Sequence, residues 1–83
     1  MDEERARMNW KAVAKPEGAK LFKVHTFTYV FKGANYHLEI DESADGTFTG
    51  HGEHSTDKNT VLASVTASSI ENCLASLIKN IKV

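Results

Sequence analysis

From Lys20 to Gly50 the chain reads KLFKVHTFTYVFKGANYHLEIDESADGTFTG, a run in which apolar and polar residues alternate with a period of two. That period suits strands with one buried face, whereas a helix would scatter the same apolar residues around its surface. Two turn signals, KGAN and SADG, divide the run into three segments. An antiparallel meander is the expected product.

Parity sets the register. His25, Phe27, Tyr29 and Phe31 share one face of the first segment, and Tyr36, Leu38 and Ile40 share one face of the second. These faces coincide when opposed residue numbers sum to an odd number, which a Gly33-Ala34 loop achieves by pairing Phe31 with Tyr36 and Tyr29 with Leu38. At SADG, a type I turn with Gly46 at positive φ sets Ile40 against Phe48, Leu38 against Gly50 and Tyr36 against Gly52. Gly50 and Gly52 thereby acquire a packing role, as bare backbone beneath bulky neighbours.

Downstream, TVLASV is a short apolar strand, expected to have neighbours on both sides because it carries little polar content. In SSIENCLASLIKNIKV, residues Ile70, Cys73, Leu74, Leu77, Ile78 and Ile81 recur on one helical face. Ser68 and Glu71 form a capping-box pair at its start, and Lys79 and Lys82 sit near its negative end. At the other terminus DEERARMNWKAVAKPEG places acids before bases and then Pro16 and Gly18, which predicts a helix over residues 2–14 anchored by Trp10.

The fold class expected from these elements is a single small α+β domain over residues 1–83, in the order α-β-β-β-β-α. The C-terminal amphipathic helix, and with it the N-terminal helix, packs on one face of the meander. The predicted core is Trp10, Phe27, Tyr29, Phe31, Tyr36, Leu38, Ile40, Phe48, Val61, Val65, Ile70, Leu74, Leu77, Ile78 and Ile81. Eighty-three residues leave room for one such core.

Composition removes several function classes. A net charge of −1 supplies no overall field for a polyanion. No apolar run approaches the ~20 residues of a membrane span, and MDEERARM is charged where a signal peptide would be apolar, so a cytoplasmic protein is expected. A lone Cys73 excludes zinc-finger and iron–sulfur sites and lies on the apolar helix face, where an inert thiol is the expectation.

The stretch GTFTGHGEHSTD raises the question of a metal. His51 and His54 fall on opposite faces of a strand, whereas His51 and Glu53 share a face with cross-strand His37 and Glu39. The candidate ligands are His37, His51, Glu53 and His54. Alternating polar residues are also what the solvated face of a one-sided sheet displays, so no metal and no cofactor are expected, and His37 and His51 beside acids are at most a pH-sensitive patch. His51-Gly52-Glu53 matches the H-x-E start of the zinc deaminase signature, but the P-C-x-x-C partner is missing. Ser43, Ser55, Ser64, Ser68, Ser69 and Ser76 show no nucleophile-elbow pattern, Asp41 and Glu42 lie on opposite faces, and no Walker, dinucleotide or EF-hand motif occurs. No catalytic residue is assigned.

Charge is uneven along the chain. Residues 1–32 carry seven bases and four acids, residues 33–59 one base and six acids. A nucleic-acid binder would use Lys11, Lys15, Lys20, Lys23 and Lys32, with Phe27, Tyr29, Phe31 and Tyr36 as a stacking platform. Those rings are equally the only core face available to the amphipathic helix.

The segment from Tyr36 to Ile81, with YHLEIDESADGTFTG followed by VLASVTASSIENCLASLIKNI, resembles small HicB-type antitoxin domains in its order of strand, D-G turn, two strands and helix. It lacks their Pro-Asp-x-Pro-Gly element. The resemblance implies a small toxin partner and self-association, not catalysis. The function expected from the residues themselves is a non-enzymatic protein-interaction or self-association module, using the open sheet face or an unpaired edge to hold a protein partner or a second copy. The alternatives are the nucleic-acid binder and the HicB-like domain.

Overall fold

The alternating run does fold as strands. The computed structural model describes residues 9–57 and 60–81. Strands β1 (Lys23–Phe31), β2 (Ala34–Glu42), β3 (Phe48–His54) and β4 (Val61–Ala67) form one antiparallel sheet in chain order, and helix α1 (Ile70–Lys79) follows. This is an α+β arrangement: an open sheet with a C-terminal helix on one face.

Both turns differ from the expected registers by two residues. The first hairpin turns on Lys32 and Gly33, at φ 51° and 78°, rather than on Gly33 and Ala34. Two consecutive residues at positive φ meet the requirement of a type I′ turn, whose twist matches that of the strands it joins. Phe31 therefore pairs with Ala34 and Tyr29 with Tyr36. At the second turn Gly46 adopts φ 91° as expected, while the Ser43 N–H donates to the Thr47 carbonyl at 2.9 Å and the Asp45 carboxylate accepts from the Thr47 N–H at 3.0 Å. The longer loop sets Glu42 against Phe48, Ile40 against Gly50 and Leu38 against Gly52. A displacement of two preserves the parity of a strand, so each side chain in β1 to β3 keeps its predicted face while changing partner.

Strand β4 departs further. Gly50 pairs with Val65 and Gly52 with Leu62, so β4 holds one more residue than β3 in that interval, which is a bulge. Beyond the bulge the alternation reverses. Leu62, Val65 and Ala67 turn inward, and Val61, placed in the predicted core, is 68% exposed. Nor is β4 flanked on both sides: it is the last strand of the sheet.

Helix α1 begins at a Ser69 cap, one residue after the predicted one, with Ser69 Oγ accepting the Asn72 N–H at 3.1 Å. Its apolar face covers β4, β3 and β2. The buried core is Tyr36, Leu38, Ile40, Cys73 and Leu77, ringed by half-buried Phe27, Tyr29, Phe31, Phe48, Leu62, Val65, Ile70, Leu74, Ile78 and Ile81. Gly50 and Gly52 fill the predicted role with different neighbours. A Cβ on Gly50 would stand 2.8 Å from Cys73 Sγ and 2.9 Å from Leu77 Cδ1, and one on Gly52 would stand 2.6 Å from Leu62 Cδ1.

The N-terminal helix is replaced, within the described residues, by a 3-10 turn at Trp10–Ala12; residues 2–8 of its expected span lie outside them. Trp10 is half-exposed and takes no part in the core cluster. With three residues and one short turn there is no stripe wide enough to bury against a sheet. The segment is tied down instead by charge. Lys11 Nζ lies 3.2 Å from one Glu42 carboxylate oxygen, and His25 Nε2 lies 3.0 Å from the other. No helix among the described residues is long and apolar enough to cross a membrane.

Candidate functional site

The sheet has two unlike faces. Opposite α1, the open face carries a checkerboard of imidazoles and carboxylates, because the register sets His37 against Glu53 and Glu39 against His51. His51 Nε2–H donates to Asp41 Oδ2 at 3.2 Å, and on the β4 bulge Ser64 Oγ stands 3.5 Å from His51 Nδ1. Serine, histidine and aspartate thus follow one another in the order used by acyl-transfer enzymes. Such a relay serves catalysis where water is excluded and fixed donors await an oxyanion. Here Ser64 is exposed and His51 is 47% exposed, on the open face of the sheet.

Glu39 and Asp41 act as a pair. Among the described residues Asp41 Oδ1 is buried without a hydrogen-bond partner. Glu39 is correspondingly pushed above the ordinary carboxylate range, first by its hydrogen bond with Asp41, then by burial and by repulsion from the same charge, with His51 and His37 pulling the other way.

Of the four predicted metal candidates, His37, His51 and Glu53 share the open face, lining a shallow depression of about 240 Å³ with Glu39, Gly52 and Val61. His54 is on the other face, its ring set edge-on to Tyr36 at 5.2 Å and its Nδ1 accepting the N–H groups of Thr56 and Asp57 at 3.2 and 3.0 Å. It caps a loop. Among the described residues no group of three or more His, Cys, Asp or Glu side chains is arranged to hold a metal ion. Burial pushes the Cys73 thiol up, away from the thiolate a nucleophile needs.

The five predicted nucleic-acid lysines do not converge. Lys11 is engaged by Glu42; Lys15 and Lys20 line a depression beside Phe22 and Asp45; Lys23 and Lys32 stand at opposite ends of β1, ~30 Å apart along an extended strand. Lys32 Nζ lies 5.5 Å over its neighbour Phe31.

What the sequence reading left unspecified is which edge is open. Strand β1 is nine residues long, has no bulge against β2, and among the described residues no strand pairs with its outer edge. In a two-residue hairpin the pair flanking the turn exchanges both backbone bonds, and bonded pairs then alternate with non-bonded ones. Phe31 and Ala34 flank this turn, so Val24, Thr26, Thr28 and Val30 direct their N–H and C=O groups outward. Beside this edge, on the helix face, α1 stops short of full cover. Phe27, Tyr29 and Phe31 remain half-exposed, Tyr29 and Phe31 stacked at 6.0 Å, while Val24 and Val30 lie 52% and 63% exposed on the open face. The β4 edge, by contrast, is shorter and interrupted by its bulge.

The chain matches no known protein family, and no curated protein or solved structure matches it. The resemblance to HicB-type domains therefore rests on the order of elements between Tyr36 and Ile81 alone.

Proposed function

We propose that this chain is a non-enzymatic protein-binding module that takes an extended strand onto the outer edge of β1. The observation that carries the reading is the coincidence, on one strand, of four outward-directed backbone pairs and a half-covered row of aromatic rings. Main-chain bonds to such an edge supply affinity, and pockets beside alternate side chains supply selectivity. Exposed valines at positions 24 and 30 extend the contact to the other face. The open-face checkerboard is the solvated side of the sheet, and its serine–histidine–aspartate relay lacks the enclosure an enzyme requires.

Proline tests this. Thr28→Pro removes one outward N–H and leaves the bonds between β1 and β2 in place. Proteins retained by the immobilised chain and lost with the Thr28→Pro bait are strand-dockers; equal retention by both baits contradicts the reading. A second reading, single-stranded nucleic acid stacked on Phe27, Tyr29 and Phe31 between Lys23 and Lys32, predicts oligonucleotide affinity that falls steeply with salt. Absence of binding at low salt removes it.

A further inference from the structure

We propose that the occupant of the β1 edge is a second copy of this chain, paired antiparallel about a two-fold axis through Phe27; the proposal rests on the docking reading above and names its partner. The strand is chemically symmetric about its middle residue. Counting outward from Phe27, Thr26 mirrors Thr28, His25 mirrors Tyr29 and Val24 mirrors Val30. Beyond them Lys23 mirrors Phe31, and Phe22 mirrors Lys32. Antiparallel self-pairing converts each mirror pair within β1, from Lys23–Phe31 inward, into a cross-strand contact.

The contacts so formed are of the favourable kinds: β-branched against β-branched, threonine against threonine, ring against ring. Charge is complementary as well. The one basic residue within the strand, Lys23, meets Phe31 of the other copy rather than another lysine, and Lys32 already lies over Phe31 in this way within one chain. Moving the axis to Thr26 or Thr28 still sets threonine against threonine, but it loses the valine–valine pairs, so the axis at Phe27 matches the most like residues.

Backbone geometry allows the same register, because it admits an axis through a residue and excludes one between residues. The outward-directed residues are Val24, Thr26, Thr28 and Val30, so bonded pairs on the outer edge must join even-numbered residues to even-numbered ones. An axis at Phe27 pairs Thr26 with Thr28 of the other copy and Val24 with Val30, and leaves Phe27 facing its own equivalent as a close, non-bonded pair. Because the axis is perpendicular to the sheet, both α1 helices lie on one face of an eight-stranded sheet. The two half-exposed rows of Phe27, Tyr29 and Phe31 become one continuous strip between them. Among the described residues the outer edges left are the two bulged β4 strands, which are poor templates for further pairing. An isologous contact of this sort closes at two copies.

Light scattering from micromolar to millimolar concentration, combined with disulfide trapping, tests the proposal. The chain is expected to be a dimer that Thr28→Pro dissociates, and Val30→Lys, on an exposed position that cannot unfold the sheet, is expected to raise the half-dimerisation concentration at least tenfold. Mixed Thr26→Cys and Thr28→Cys chains, with buried Cys73 left in place, are expected to cross-link to each other more readily than either does to itself. A monomer throughout, a dimer indifferent to both substitutions, or trapping at other positions overturns the proposal. If the chain is monomeric yet the wild-type bait retains another protein that Thr28→Pro loses, the second copy is refuted and the docking edge stands.

Discussion

Leu62 and Val65, three residues apart on β4, both turn into the core because the strand holds one residue more than β3 between them. The bulge has two effects at once. It shortens the regular edge on that side of the sheet, and it exchanges Val61 for Leu62 as the buried member of the pair.

That exchange is measurable. Leu62→Ala is expected to destabilise the fold by about 2 kcal/mol, since it empties space against Gly52 and Leu38, whereas Val61→Ala is expected to stay within about 0.5 kcal/mol. Urea unfolding of the two variants checks this. Equal losses would mean that the alternation runs through β4 without a bulge.

Gly50 gives a second prediction from the same contact layer. Gly50→Ala drives a methyl group into Cys73 and Leu77, with contacts of 2.8 and 2.9 Å before relaxation. Overpacking of this size costs about 1–3 kcal/mol. Thermal unfolding should show a clear fall in Tm; an unchanged Tm would place α1 farther from β3.

Lys32 occupies a position that suits glycine or asparagine better, with φ 51° in a type I′ turn. Lys32→Asn is expected to stabilise the hairpin by about 0.5 kcal/mol, the relief of backbone strain being offset in part by loss of the contact with Phe31. Chemical denaturation measures the difference. A loss of stability would show that the turn has another conformation.

How much of this was legible in the sequence follows from the same residues. Alternation placed the side chains of β1 to β3 on their observed faces, because a register error of two leaves parity intact. The turns themselves were not legible, since a lysine at positive φ has no sequence signal and Gly33 fits either loop. The β4 bulge defeated pattern reading because TVLASV is apolar on both sides of the slip. Trp10 misled: a large ring preceded by charged residues reads as a helix anchor, but the described segment holds one 3-10 turn and is fastened through Lys11 and Glu42 instead. The symmetry of β1 was visible in the letters all along, yet it acquires meaning only once β1 is known to be an edge.

Two glutamates respond oppositely to pH. Glu42 is held below the ordinary carboxylate range, first by its hydrogen bond with His25 and then by Lys11, against a contrary push from burial. Its contribution is present above the unfolded-state value and is lost as pH falls through the lower folded value. Glu39 is raised, so its contribution is present in acid and is lost as pH rises through its folded value. Glu42→Gln should therefore flatten the acid limb of stability against pH, and Glu39→Gln should raise stability near neutrality. Urea titrations at several pH values check both; if Glu39→Gln destabilises at neutral pH, the Glu39 carboxylate is not disfavoured by Asp41.

The role of the β1 edge is tested most directly by residue-resolved amide hydrogen exchange at low and high protein concentration. The amides of Val24, Thr26, Thr28 and Val30 are expected to be poorly protected when dilute and to gain protection together as concentration rises, while their odd-numbered neighbours stay protected throughout. Exchange of those four amides at the same rapid rate at every concentration would contradict it.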